Sequence, residues 1–141
     1  MFENNPVIPQ EQRLITGYLI DVQNEKAGAV TIQHGLTAYY QLLNCRCIDM
    51  VSRRIGKQAQ RCYTIICDDE GLFAPDPQIS AIDSLGQVML VGNLLVVKVD
   101  ADGETQSLDD DDIRYLQKHT LLFGTTKHPK PYPMLCFCEY A

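Results

Sequence analysis

The sequence predicts an α+β domain: a mainly antiparallel sheet with two short helices in one compact unit. Three observations carry that prediction. Short runs rich in β-branched and aromatic residues, bounded by Gly, Asn and Asp clusters, recur along the 141-residue chain. Two segments, LTAYYQLL at 36–43 and SLDDDDIRYLQKH at 107–119, place apolar residues at helical spacing. The strand-like runs follow one another through short turns, the connection that joins antiparallel neighbours. A chain of this length fits one domain and buries on the order of 68% of its extended surface on folding, so its core needs no staples.

Residues 1–12 carry Pro6 and Pro9 among polar residues and read as an extended arm. The first strand spans 13–22, with Leu14, Thr16, Tyr18 and Ile20 on one face and Ile15, Gly17, Leu19 and Asp21 on the other. Asn24, Glu25 and Lys26 make a turn, and residues 28–32 return as a second strand. In the first helix Leu36, Tyr39, Tyr40 and Leu43 fall at i, i+3, i+4 and i+7, one apolar face. Two tyrosines there can stack on a nucleobase or pack as core with their hydroxyls at the rim. His34 precedes the helix and reads as a loop residue.

The centre of the chain is a hairpin with an acidic corner, residues 45–73. Its first strand mixes apolar and charged residues on both faces, Gly56 opens the turn, and the return strand at 61–67 is dense enough in apolar residues to be interior. Asp68, Asp69, Glu70 and Gly71 end it with Asx chemistry and a glycine. Arg53, Arg54, Lys57 and Arg61 are four of the twelve basic residues of an acidic protein, gathered on this hairpin. Guanidinium forks suit phosphate or carboxylate, which gives an anion site as one reading. The other is a solvated tip whose charges discourage edge pairing.

Pro75 and Pro77 force an extended link, and a turn follows the apolar residues of 78–86. VMLVGNLLVVKV at 88–99 is the most apolar run; it reads as one long central strand with a bulge at Gly92 and Asn93, in preference to a tight hairpin. Asn93, if buried there, must be hydrogen-bonded, either clamping the bulge or facing a ligand. Asp100, Asp102, Gly103 and Glu104 form a turn whose glycine comes too early for a calcium loop. Ser107 is expected to cap the second helix, whose aspartates complement its positive end while Lys118 and His119 complement the other. Leu121, Leu122 and Phe123 suggest an edge strand that closes a domain at 13–123. Residues 124–141 then form a proline-containing tail. Its apolar end, MLCFCEY, with Met134 and Tyr140 at its limits, needs a sheet edge or a second subunit and so suggests homo-oligomerisation.

A net charge of −6 favours solubility and argues against general nucleic-acid binding. No apolar run approaches the ~20 residues that span a membrane, and the first residues lack a signal pattern, so a cytoplasmic location is expected. Six cysteines are then expected to be reduced. Cys45 with Cys47, and Cys136 with Cys138, are spaced more tightly than zinc knuckles and read as small hydrophobes on strands; no metal is assigned. There is no phosphate loop, dinucleotide fingerprint, nucleophile elbow or zinc-protease motif, so no cofactor and no catalytic residue are assigned.

The succession from the Leu36 helix through CIDMV at 47–51, YTIICDDEGLF at 63–73, and LVGNLLVV at 90–97 with its D-x-D-G turn resembles a domain of unknown function. That domain occurs in small proteins of Gram-positive bacteria, their phages and conjugative elements, and the resemblance covers residues 13–119. It implies a cytoplasmic accessory protein of mobile DNA and carries no catalytic residues. The function expected on that basis is non-enzymatic: antagonism of host defence by sequestering a small anionic, nucleotide-like ligand. Arg53, Arg54 and Arg61 would hold phosphate, Tyr39 or Tyr40 would stack, and Asn93 would read a polar edge. Two alternatives stand beside it: an interaction module docking on a host protein or on itself through the tail, and a nucleotide-processing enzyme.

Overall fold

The computed structural model describes residues 13–56, 61–73 and 75–137. The expected N-terminal arm, most of the Gly56 turn including Lys57, and the last four residues with Cys138 and Tyr140 lie outside the described residues.

The fold is α+β and dominated by sheet. In chain order it runs β1 (Leu14–Asp21), β2 (Lys26–Gln33), α1 (Leu36–Leu43), β3 (Ile48–Ile55), β4 (Arg61–Asp68), β5 (Ile79–Ile82), β6 (Val88–Val91), β7 (Leu94–Val99), β8 (Thr105–Gln106), α2 (Asp110–Lys118), β9 (Thr120–Phe123) and β10 (Tyr132–Cys136). The larger sheet has the order β2-β1-β7-β4-β3 with β8 added on β7, and its pairs are antiparallel. The smaller has the order β6-β5-β10-β9, with β5 and β10 parallel.

Period-two alternation divides the larger sheet into two apolar faces. On one, Ile15, Leu19, Ile66, Leu95 and Val97 pack against Tyr39 and Leu43 of α1. On the other, Tyr18, Ile20, Ile65 and Val96 meet Leu116 of α2 and Tyr132, Met134 and Leu135 of the smaller sheet. β4 lies between β3 and β7 as its apolar density requires, with Ile65 and Ile66 fully buried. Asn44 ends α1 in the left-handed conformation, a role asparagine fills at small cost. Gly17 lets β1 approach β7: a Cβ there would lie 2.7 Å from Leu95 Cδ1 and 2.8 Å from the Val96 carbonyl.

Three expectations are corrected. Residues 88–99 are two strands in different sheets, since Gly92 at φ +79° turns the chain from β6 to β7. The segment expected as a tail supplies β10, interior to the smaller sheet between β5 and β9, with the Met134 and Leu135 side chains buried. Asp109, not Ser107, caps α2: its carboxylate accepts the Asp112 amide while Asp112 accepts the Asp109 amide, a reciprocal capping box. Ser107 Oγ instead accepts the Thr16 amide at 2.9 Å.

Candidate functional site

α2 connects the two sheets, and its ends are held differently. At the N-terminal end Asp112 is buried and ligated by Lys98 Nζ at 2.7 Å and by the Tyr63 hydroxyl at 2.9 Å. Burial pushes its carboxyl up, but the bonds from Lys98, the Asp109 amide and Tyr63 outweigh this and hold it below the usual carboxylate range. At the C-terminal end the orphan carbonyls are taken locally. His119 Nδ1 donates to the Tyr115 carbonyl at 2.9 Å, and Thr120 Oγ1 donates to that of Leu116 at 2.8 Å. Thr120 Oγ1, with its proton so committed, accepts from the buried Tyr18 hydroxyl at 2.9 Å.

Beside this C-terminal end lies a cavity of about 730 Å³, within the size range of small-molecule sites. Tyr115, Lys118 and His119 from the last turn of α2 form one wall, and Leu121 and Phe123 of β9 continue it. The opposite elements are Gly56 at the end of β3, the segment 82–86 after β5, and Cys136 and Phe137 at the end of β10. The lining is largely apolar. Phe137 bridges to Ile55 and donates its amide to the Ile82 carbonyl at 2.8 Å, which ties the elements together.

Its polar groups are few and mostly committed. Asp83 Oδ1 accepts the amides of Leu85 and Gln87, each at 2.8 Å, so that carboxylate shapes the loop. The Tyr115 hydroxyl donates to the Ile55 carbonyl. Burial pushes the Cys136 thiol up, leaving it protonated and effectively apolar near neutral pH. The His119 ring packs against that of Tyr115 with centroids 4.4 Å apart and planes tilted by 38°. Lys118 is exposed at the lip and makes no ion pair among the described residues. A shallower groove along Arg61, Asp111, Arg114 and Gln117 adjoins the cavity and shares Tyr115 and Lys118 with it; Asp111 pairs with Arg61 at 2.9 Å and with Arg114 at 3.9 Å.

The six residues expected at a ligand site do not converge. The register pairs Arg53 with Tyr63 and Arg54 with Cys62, so the two arginines point to opposite faces. Arg53 is half-buried and donates to the Ser52 carbonyl, while Arg54 is exposed on the α1 side. Arg61 alone reaches the neighbourhood of the cavity. Its guanidinium lies 4.4 Å from the Tyr115 ring centroid and 2.9 Å from Asp111 Oδ2. Tyr39 is buried with its hydroxyl 2.6 Å from His34 Nδ1, and Tyr40 is half-buried on the same helix, across the larger sheet from α2. Asn93 is buried and its Oδ1 accepts the Val22 amide at 3.0 Å, so it holds the start of β7 to the end of β1 and clamps no bulge.

In the sequence Lys118 and His119 read as complements of the helix dipole, and Tyr115 carries no assigned role. The signal available was an aromatic pair at i, i+4 in a last helical turn, Tyr115 and His119, next to an apolar edge strand. Nothing in the sequence joins 82–86 or Cys136 to that turn.

No curated protein and no solved structure matches the chain. One family pattern does, from β1 to the first residues of β9, taking in the α2 wall of the cavity and the 82–86 loop but not β10. With residues 15–121 matched, the chain belongs to the family described as Domain of unknown function (DUF3846).

Proposed function

We propose that the protein is a non-enzymatic binder of a small anionic ligand with an apolar, nucleotide-like body, and that the cavity beside α2 is its site. One observation carries this reading: a largely apolar cavity of about 730 Å³ opens past Lys118 onto a groove where Arg61 and Arg114 flank a single acid, Asp111, so that with Lys118 the positive charges outnumber the negative one. A ring fits the apolar interior and a phosphate or carboxylate fits the basic lip. The reading keeps the expected ligand class and moves the site from the β3–β4 hairpin to the C-terminal turn of α2. It also keeps the wider context the resemblance implies, an accessory protein of mobile DNA in Gram-positive bacteria and their phages that withholds such a ligand from host defence.

The test is retention and release. The protein is incubated with a nucleotide pool, washed and heated, and the supernatant analysed by mass spectrometry. Sequestration predicts an intact anion returned on heating; a converted product would favour the nucleotide-processing alternative. Ser84→Trp, at an exposed lining position, is expected to abolish retention, and Lys118→Glu to weaken it more at low salt than at high. Arg53→Ala and Arg54→Ala are expected to leave it unchanged. Loss of retention in the last two with none in the first two would move the site back to the hairpin.

A further inference from the structure

We infer that the cavity selects ligands presenting an N–H or O–H donor from a planar ring, received by Nε2 of His119. The inference rests on the cavity being the ligand site and names what it recognises there.

The argument starts from the other ring nitrogen. His119 Nδ1 lies 2.9 Å from the Tyr115 carbonyl, which can only accept, so Nδ1 carries the proton. In the neutral ring that leaves a lone pair on Nε2. Nε2 sits 2.9 Å from where a Cβ on Gly56 would lie, and both residues line the cavity. It makes no hydrogen bond among the described residues. The tautomer is therefore set by a backbone group that belongs to the helix end and does not depend on a ligand.

Among the neighbouring groups the Tyr115 proton is committed to the Ile55 carbonyl and the Cys136 thiol is held protonated by burial. Asp83 Oδ1 already takes two amides, which leaves its Oδ2 as the second acceptor of the lining, on the wall opposite α2. A flat ligand entering beside the Tyr115–His119 ring pair thus meets a fixed acceptor in an apolar wall. A ring edge carrying only acceptors would leave Nε2 desolvated and unpaired, which is the stronger source of discrimination. Ring N–H groups of heteroaromatics and lactams, the chemistry of a nucleobase edge, satisfy the site; isosteric rings without a donor do not.

Indole and benzofuran form the discriminating probe pair, being nearly equal in shape with a donor on indole alone. Protein-detected NMR titration of the wild-type chain is expected to show indole binding about three- to tenfold tighter, the value of one hydrogen bond. His119→Phe keeps an aromatic ring against Tyr115 and is expected to bind both probes equally. Because that variant removes a helix-end bond, the wild-type ¹⁵N signals of His119 give a second readout. They should show the Nδ1-protonated tautomer and a shift at Nε2 with indole that benzofuran does not cause. Equal binding of both probes with Nε2 unmoved would overturn donor recognition and leave the cavity as a site. Failure of either probe to perturb any cavity resonance would overturn the cavity reading itself.

Discussion

The hydroxyl of Tyr63 donates to Oδ1 of Asp112 at 2.9 Å, joining an interior strand of the larger sheet to the first turn of α2. Lys98 on β7 reaches the other carboxylate oxygen at 2.7 Å, so three elements meet on one buried acid. Both partners matter because Asp112 is desolvated. Tyr63→Phe removes one bond to a charged acceptor and changes little else in the packing. It is expected to lower stability by about 1.5–3 kcal/mol, read from urea unfolding with an unchanged slope. A loss within ±0.5 kcal/mol, the size of an ordinary surface change, would mean the network contributes no more than its packing.

The same acid sets a pH dependence. The Asp112 carboxyl lies below its ordinary value of 3.8 because Lys98, the Asp109 amide and Tyr63 outweigh its burial. For a depressed acid, the unfolded chain binds the proton first as pH falls. The stabilisation is therefore complete above the unfolded value and lost as pH drops through the folded one. Urea midpoints measured from pH 6 to pH 2.5 should fall below about pH 4. Asp112→Asn should flatten part of that fall; an identical acid profile in the variant would assign the loss to other carboxylates.

Gly56, Gly92 and Gly28 separate backbone strain from crowding. Gly92 has φ +79° with open space around a virtual Cβ, so Gly92→Ala is expected to cost about 1 kcal/mol for the left-handed backbone alone. Gly56 has φ +93°, and a Cβ would collide with the Tyr115 hydroxyl and lie 2.9 Å from His119 Nε2. Gly56→Ala should therefore cost more than Gly92→Ala and also shift the NMR signals of Tyr115 and His119. Gly28 has neither constraint and sits in β2, so its alanine variant should be neutral or mildly stabilising. Equal losses at Gly56 and Gly92 would show that Tyr115 yields freely and that the cavity wall is not fixed there.

What could be read in advance follows from how local each signal is. The hairpins, both helices and the interior position of β4 announce themselves within ten residues through period, turn chemistry and apolar density. The run at 88–99 does not, because hydropathy is continuous across Gly92 and Asn93. The break comes from Gly92 pairing with the Gln78 carbonyl at 2.8 Å and Asn93 holding Val22, partners far along the chain. The partner of β10 was equally hidden: its apolar alternation called for an edge, yet nothing local pointed to a parallel strand at 79–82. Alternation alone puts Arg53 and Arg54 on opposite faces, and charge density along one hairpin says nothing about convergence. The cavity draws on four separated segments, so only the Tyr115–His119 pair carried any trace of it.

Thiol reactivity offers a check on the core and the cavity together. Burial, then the nearby Asp49 charge, pushes Cys67 up to about 11. At pH 8 its thiolate fraction is about a thousandth, and the thiolate is the species that alkylates. Burial likewise raises Cys136, while Cys62 is exposed on the same strand as Cys67. Iodoacetamide labelling at pH 8, followed by peptide mass spectrometry, should modify Cys62 first and Cys67 and Cys136 last. Urea above the unfolding midpoint should bring the three rates together, because the protection is burial and not an intrinsic property of the thiols. Cys67 labelled as fast as Cys62 in the native chain would contradict the face assignment of β4, and with it the layer that places α2 and the cavity.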